Sequence, residues 1–114
     1  MPSLYVRTFT LKDSVTDGEA VAYWKFLMDE FVPAALKVPG IRSVKFYSGA
    51  GALRADVLAL FEMDDAAAYE RLLVDPQVRR LLARIYGPWD MKLATQGFRR
   101  EVTPELVRAL SSSG

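Results

Sequence analysis

The strictest limit on the fold comes from one stretch in the middle of the chain, Leu53-Arg54-Ala55-Asp56-Val57-Leu58-Ala59-Leu60-Phe61-Glu62. Its aliphatic and aromatic residues read as a strand. Successive side chains of a strand point to opposite faces, and here both parities are apolar. Ala55, Val57, Ala59 and Phe61 share one face, Leu58 and Leu60 the other. A strand with one wet face alternates apolar with polar residues, so this one needs a cover on each side. The stretch Leu4 to Lys12 repeats the pattern, with Leu4 and Val6 opposed to Phe9 and Leu11. Whatever this chain folds into must bury both sides of its sheet.

Two helices are available for that task. Thr16-Asp17-Gly18-Glu19 has the spacing of a capping box, in which Thr16 and Glu19 satisfy each other's orphan amides. Val21, Trp24, Leu27, Met28, Phe31 and Val32 follow at helical spacing and predict an apolar stripe. Pro33 interrupts it, by a kink or by starting a second short turn at Ala34, and Val38-Pro39-Gly40 ends it. Ile41 to Ser48 forms a second strand, with Val44 and Phe46 on one side and Ile41 and Tyr47 on the other. Ser48-Gly49-Ala50-Gly51 leads straight into the strand from Leu53, which predicts a hairpin with glycine at positive φ. A phosphate-cradling loop needs a helix after it, and here a strand follows.

Asp64 is placed to cap the second helix, which carries Tyr69, Leu72 and Leu73. Pro76 should break this helix and restart it with Asp75 as N-cap. Val78, Leu81, Leu82 and Ile85 continue its stripe. Arg71, Arg79, Arg80 and Arg84 read as a solvated face paired locally with Glu70 and Asp75, in preference to an anion patch. Gly87 is placed to cap this helix and Pro88 prevents its continuation. Trp89 to Arg99 is the fourth strand, and Thr103-Pro104-Glu105 starts a short terminal helix through Leu110. Residues 1–110 are expected to form a single domain, with 111–114 a disordered tail.

The order strand, helix, strand, hairpin, strand, helix, strand is the split βαβ arrangement. It predicts an α+β, ferredoxin-like βαββαβ fold: a four-stranded antiparallel sheet with two helices on one face. No third helical layer remains for the other face. A second copy packed sheet to sheet supplies it, which predicts a homodimer. In this order of elements, and in Val38-Pro39-Gly40-Ile41 and Leu73-Val74-Asp75-Pro76, the chain resembles the dimeric α/β-barrel superfamily over roughly Leu4 to Phe98. That group includes antibiotic-biosynthesis monooxygenases, stress-responsive barrel proteins and EthD-like proteins. The resemblance implies a cleft between the sheet and its helices in each subunit, and the superfamily hosts many activities on one architecture.

Composition narrows the chemistry. The 114 residues contain neither histidine nor cysteine. Histidine-ligated haem, Ser-His-Asp and Cys-His catalysis, disulfides and thiolate metal sites are therefore outside the reach of this chain. No cofactor and no metal site are expected. Lysine and arginine exceed aspartate and glutamate by one, with no long run of one sign. That gives no footprint for nucleic acid or an anionic membrane. Met1-Pro2-Ser3-Leu4-Tyr5 lacks the basic and then long apolar stretch expected of a secretory signal, and the longest aliphatic or aromatic run, Val57 to Phe61, is too short to span a bilayer. A cytoplasmic location is the expectation.

The residue types left for a site are aromatic and cationic. Trp24, Tyr69, Tyr86, Tyr5, Tyr47 and Trp89 are candidates to line an aromatic pocket, and Arg7 is the strand charge aimed into it, because Tyr5, Phe9 and Leu11 share its parity. Of these, Arg7, Trp24, Tyr47, Tyr69 and Trp89 are taken as the substrate-binding set. Such an arginine stabilises an enolate or phenolate, and a tyrosine donates or relays a proton. The competing reading pairs Arg7 with an acid across the sheet or dimer. Asp56, with Arg54 on the same face, reads as edge polarity.

Two functions follow. One is a homodimeric protein binding a small aromatic ligand, in its catalytic form a cofactor-independent monooxygenase or isomerase acting on an aromatic or polyketide-like compound. The other is a non-catalytic dimerising module with a filled core. An RNA-binding role is disfavoured, because Phe9 with Arg7 matches the exposed aromatic motif poorly.

Overall fold

The computed structural model describes residues 3–49 and 52–112. Four strands, β1 (Ser3–Phe9), β2 (Ile41–Tyr47), β3 (Val57–Met63) and β4 (Thr95–Arg99), form one antiparallel sheet in the order β2-β3-β1-β4. Between them run α1 (Asp17–Phe26) and α2 (Val32–Leu36), joined by a π-helical turn at Leu27–Phe31, and then α3 (Ala67–Val74) and α4 (Pro76–Tyr86). A terminal helix, α5 (Pro104–Ser112), ends the described chain. This is the α+β ferredoxin-like fold expected from the order of elements.

The capping box forms as the spacing requires. The Glu19 amide donates to Thr16 Oγ1 at 3.1 Å, and the Thr16 amide donates to Glu19 Oε1 at 2.9 Å. Pro33 sits in the first turn of the short helix α2, which begins at Val32 where a second turn from Ala34 was one of the two expectations. Its missing N–H is preceded by the wide turn, in which the Val32 amide reaches back to the Leu27 carbonyl. The buried row is Ala20, Tyr23, Phe26, Leu27, Phe31, Ala34 and Ala35, while Val21 and Met28 of the expected stripe lie exposed. Apolar residues surround this helix almost completely, so spacing alone does not choose its inner face.

The Asp75-Pro76 break behaves as expected, with the Asp75 carboxylate accepting from the Gln77 and Val78 amides. The cap on α3 is a correction. Asp65, not Asp64, accepts the Ala68 amide, and Asp64 instead pairs with Arg42. The helix arginines are exposed, but their partners differ from those expected: Arg71 meets Asp65, and Arg84 makes a two-pronged pair with Glu30.

Other corrections concern strand ends. β1 stops at Phe9, and β4 begins only at Thr95, after a single 3₁₀ turn at Met91–Leu93. Leu11 and Trp89 meet in an isolated bridge where longer strands were expected. The β2–β3 connection spans residues 48–56, longer than a tight hairpin, so Arg54 and Asp56 belong to a loop. Among the described residues its positive φ values fall on Ala52 and Asp56; Ala50 and Gly51 lie outside the described residues. A register shift between Ile41 and Ser43 turns Ile41 onto the buried side, away from Tyr47. Helix α5 runs through Ser112, two residues into the stretch expected to be disordered.

The two sheet faces differ sharply. Tyr5, Phe9, Val57, Ala59, Phe61 and Met63 are buried beneath the helices. On the reverse face Leu4, Val6, Leu58 and Leu60 stay half-buried, and Tyr47 is exposed. Among the described residues no element of the same chain covers that side.

Candidate functional site

The helical layer does not close completely on the sheet. Between them lies a cleft with about 520 Å³ of atom-free space, including the part open to solvent; room for whole water molecules is narrower, about 40 Å³. Strands β1 and β3 contribute Tyr5, Arg7, Phe9, Ala59 and Phe61. The π-turn presents Leu27 and Phe31 from successive turns, and α3 and α4 present Tyr69, Leu72, Val78, Leu82, Ile85 and Tyr86. Trp89 follows the end of α4. Four of the chain's five tyrosines line this one space, so its polar groups are almost all phenols.

Arg7 supplies the single charge among these lining residues. Its position follows from strand parity: it pairs with Ala59 on β3 and Gln96 on β4, and shares its face with Tyr5 and Phe9. The guanidinium carbon sits 4.8 Å from the Tyr86 ring centre and 4.9 Å from that of Trp89, within cation–π range of both. Nη1 donates to the Tyr86 hydroxyl at 2.5 Å. Nε is buried with no hydrogen-bond partner, and among the described residues no carboxylate pairs with Arg7. The expected acidic partner across the sheet is absent from the described chain. An unpaired buried donor is costly unless something fills it.

Backbone bonds fix the wall beside Arg7. The Asp90 amide reaches the Thr10 carbonyl and the Lys12 amide reaches the Pro88 carbonyl, each at 2.8 Å, so Trp89 is clamped next to β1. The Trp89 ring stacks on Phe9 at 4.4 Å, with 5° between planes. Its Nε1 donates to the Tyr23 hydroxyl at 2.8 Å, and that hydroxyl donates to the Ile85 carbonyl at 2.7 Å. On the opposite side the Tyr5 hydroxyl donates to Gln96 Oε1 at 2.6 Å and lies 2.8 Å from the Tyr69 hydroxyl. Burial pushes the Tyr5 and Tyr23 phenols well above the usual tyrosine range. For Tyr5 the Tyr69 hydrogen bond adds to the effect; for Tyr23 the Trp89 N–H opposes it.

Arg7, Tyr69 and Trp89 of the expected set thus meet in the cleft, and the other two do not line it. Tyr47 points from the opposite sheet face, opposite Leu58 in the register. Trp24 lies beside the cleft, edge-on to Phe46, and its indole N–H donates to the Leu53 carbonyl at 2.7 Å. It fastens the β2–β3 loop to α1. Sequence reading singled out Tyr5 and Tyr86 without placing them in the set, and missed Tyr23. Tyr23 shares a helical row with Leu27 and Phe31, but so did the competing row from Val21. Among the described residues no group of three or more Asp or Glu is gathered to hold a metal ion, and no helix is long and apolar enough to cross a membrane.

No family model matches the chain, and no curated protein matches it. Solved structures do. SnoaB, a cofactor-independent oxygenase from Streptomyces nogalater, superposes with a TM-score of 0.68 at 13% identity, over 90% of this chain and 97% of that one. A dimeric ferredoxin-like protein of unknown function from Thermobifida fusca gives 0.68 at 18% identity, over 89% and 92%. An uncharacterised NIPSNAP domain protein from Burkholderia xenovorans gives 0.65 at 21%, over 90% and 96%. The likeness is one of fold, and it is the fold that the order of elements implied.

Proposed function

We propose that this chain is a homodimeric small-molecule-binding protein whose cleft takes a planar aromatic compound, with Arg7 as its polar anchor. The observation that carries the reading is the unpartnered Nε of Arg7, the lone charge of an otherwise aromatic and aliphatic cleft. A bound oxygen acceptor would satisfy that donor, and the rings around it match the flat faces of an aromatic ligand. The uncovered apolar sheet face supports pairing with a second copy, and the Thermobifida fusca neighbour is described as dimeric.

The chemistry that suits such a site is ionisation of an acidic C–H next to an aromatic carbonyl, with the guanidinium stabilising the enolate. The proton leaves to solvent, because no carboxylate or imidazole is among the described lining residues. Reprotonation at another carbon is an isomerisation. Reaction of the enolate with dioxygen, converting a CH₂ group to a carbonyl with release of water, is a monooxygenation in which the substrate supplies the electrons. The described activity of SnoaB favours the second course.

Fluorescence titration with 2-naphthoate tests the binding step, since Trp89 lines the cleft. Saturable quenching with one site per chain is expected. Arg7→Met keeps the stem that packs against the rings and should weaken binding by about 1.5–3 kcal/mol, the worth of a charged hydrogen bond. A lowered melting temperature in Arg7→Met, with no binding in either protein, would leave the non-catalytic dimerising module as the better account.

A further inference from the structure

Among the described α-helices, α5 alone buries none of its residues. It is nevertheless two-sided. Leu106 and Val107 lie on one side, with Val102 just before the helix, and Glu105 and Arg108 lie on the other. Val102 is 74% exposed and Val107 50%. Its polar contacts are local: the Leu106 amide donates to Thr103 Oγ1 at 3.0 Å, and Arg108 pairs with Glu105 at 3.3 Å. The whole chain is extended accordingly. Its Cα radius of gyration is 16.1 Å, where a compact chain of this length has about 13 Å, and its longest axis is 53 Å against a shortest of 19 Å. An amphipathic helix that stands off its own body leaves its apolar side for a neighbour.

Resting on the homodimer proposed above, we infer that α5 of each chain packs its Leu106–Val107 side against the second copy, as an arm that enlarges the sheet-to-sheet interface. Area carries the argument. The outer sheet face is four strands wide and five to seven residues long. At strand spacings of about 4.8 Å and a rise of about 3.3 Å per residue, its outline is roughly 400 Å². A stable pair buries about 800 Å² on each partner. The sheet alone falls well short. Helix α5 has nine residues, so it is about 13 Å long and 10 Å across. Seating one from each chain adds to every subunit both its own helix face and the patch that its partner's helix covers. Only four residues separate β4 from α5, so the arm starts at the edge of the sheet that would pair. A membrane surface is the poorer occupant, because an interfacial helix carries a polar side rich in lysine and arginine, and here Glu105 offsets Arg108.

Sedimentation equilibrium of the full chain over a dilution series tests the arm. Val107→Asp suits the helix itself, since an acid near a helix N-terminus is favoured by the dipole, so circular dichroism should not change. A symmetric dimer carries the substitution twice. At about tenfold for each valine that can no longer be buried, the dissociation constant should rise about a hundredfold. Arg108→Gln, on the polar side, should leave it within about twofold of the wild-type value. A Val107→Asp dimer as tight as the wild type overturns the inference and leaves sheet-to-sheet pairing in place. A melting temperature lowered equally at every protein concentration would put the helix against its own chain, and overturns it too. A wild-type chain that stays monomeric removes the pairing and the arm together, with the cleft untouched.

Discussion

Tyr23 holds the wall of the cleft together, because one buried hydroxyl ties the indole after α4 to the last turn of α4 itself. Tyr23→Phe leaves the Trp89 N–H and the Ile85 carbonyl without that partner, and urea unfolding should show a loss of about 1–3 kcal/mol. Its pH dependence follows from the same burial. Tyr5 and Tyr23 hold their protons more tightly folded than unfolded. Above the ordinary tyrosine pKa of about 10 the unfolded chain binds fewer protons, so stability is complete below that pH and declines as pH rises beyond it. The decline should be shallower in Tyr23→Phe. Arg7 was readable in the sequence because strand parity is strict: a charge between Tyr5 and Phe9 on one face must point where they point. Tyr47 and Trp24 were misplaced for different reasons. Tyr47 sits on the sheet's other face, and Trp24 is turned toward a loop whose course no local pattern specifies.

Helix α4 carries Val78, Leu82, Ile85 and Tyr86 to the cleft, and its start depends on one carboxylate. Asp75→Ala removes the acceptor for two amides, and the stability loss expected from thermal or urea unfolding is about 1 kcal/mol. An unchanged midpoint would show that Pro76 alone sets the start of the helix. Caps such as this, and the Thr16–Glu19 box, are legible because each is a contact between residues two or three apart. The inner face of α1 was not, since Val21 and Met28 are as apolar as the residues that are buried. Only packing against β1 and β3 selects the row through Tyr23. The 48–56 loop was misjudged because its length depends on distant anchors. The Leu11 amide binds the Arg54 carbonyl at 2.8 Å, and the Asp56 amide reaches Thr10 Oγ1 at 3.3 Å.

In the molecule taken whole, one sheet separates two different environments, and only one is complete within a chain. The outer face, with Leu4, Val6, Leu58 and Leu60, is the side on which a second copy is proposed. Sedimentation equilibrium at micromolar concentration should return twice the 12.8 kDa chain mass. Leu60→Asp places an unpaired charge on that face and should yield a folded monomer with native circular dichroism. A wild-type monomer would remove the case for pairing. The opposite face bears the function proposed for the protein, and a crystal structure of the protein with 2-naphthoate examines it without intermediaries. The account expects the naphthalene rings between the sheet and the helices, among Leu27, Phe31 and Phe61, with the carboxylate in hydrogen-bond reach of Arg7 Nε. A carboxylate held elsewhere, with Nε still unpartnered, would contradict it.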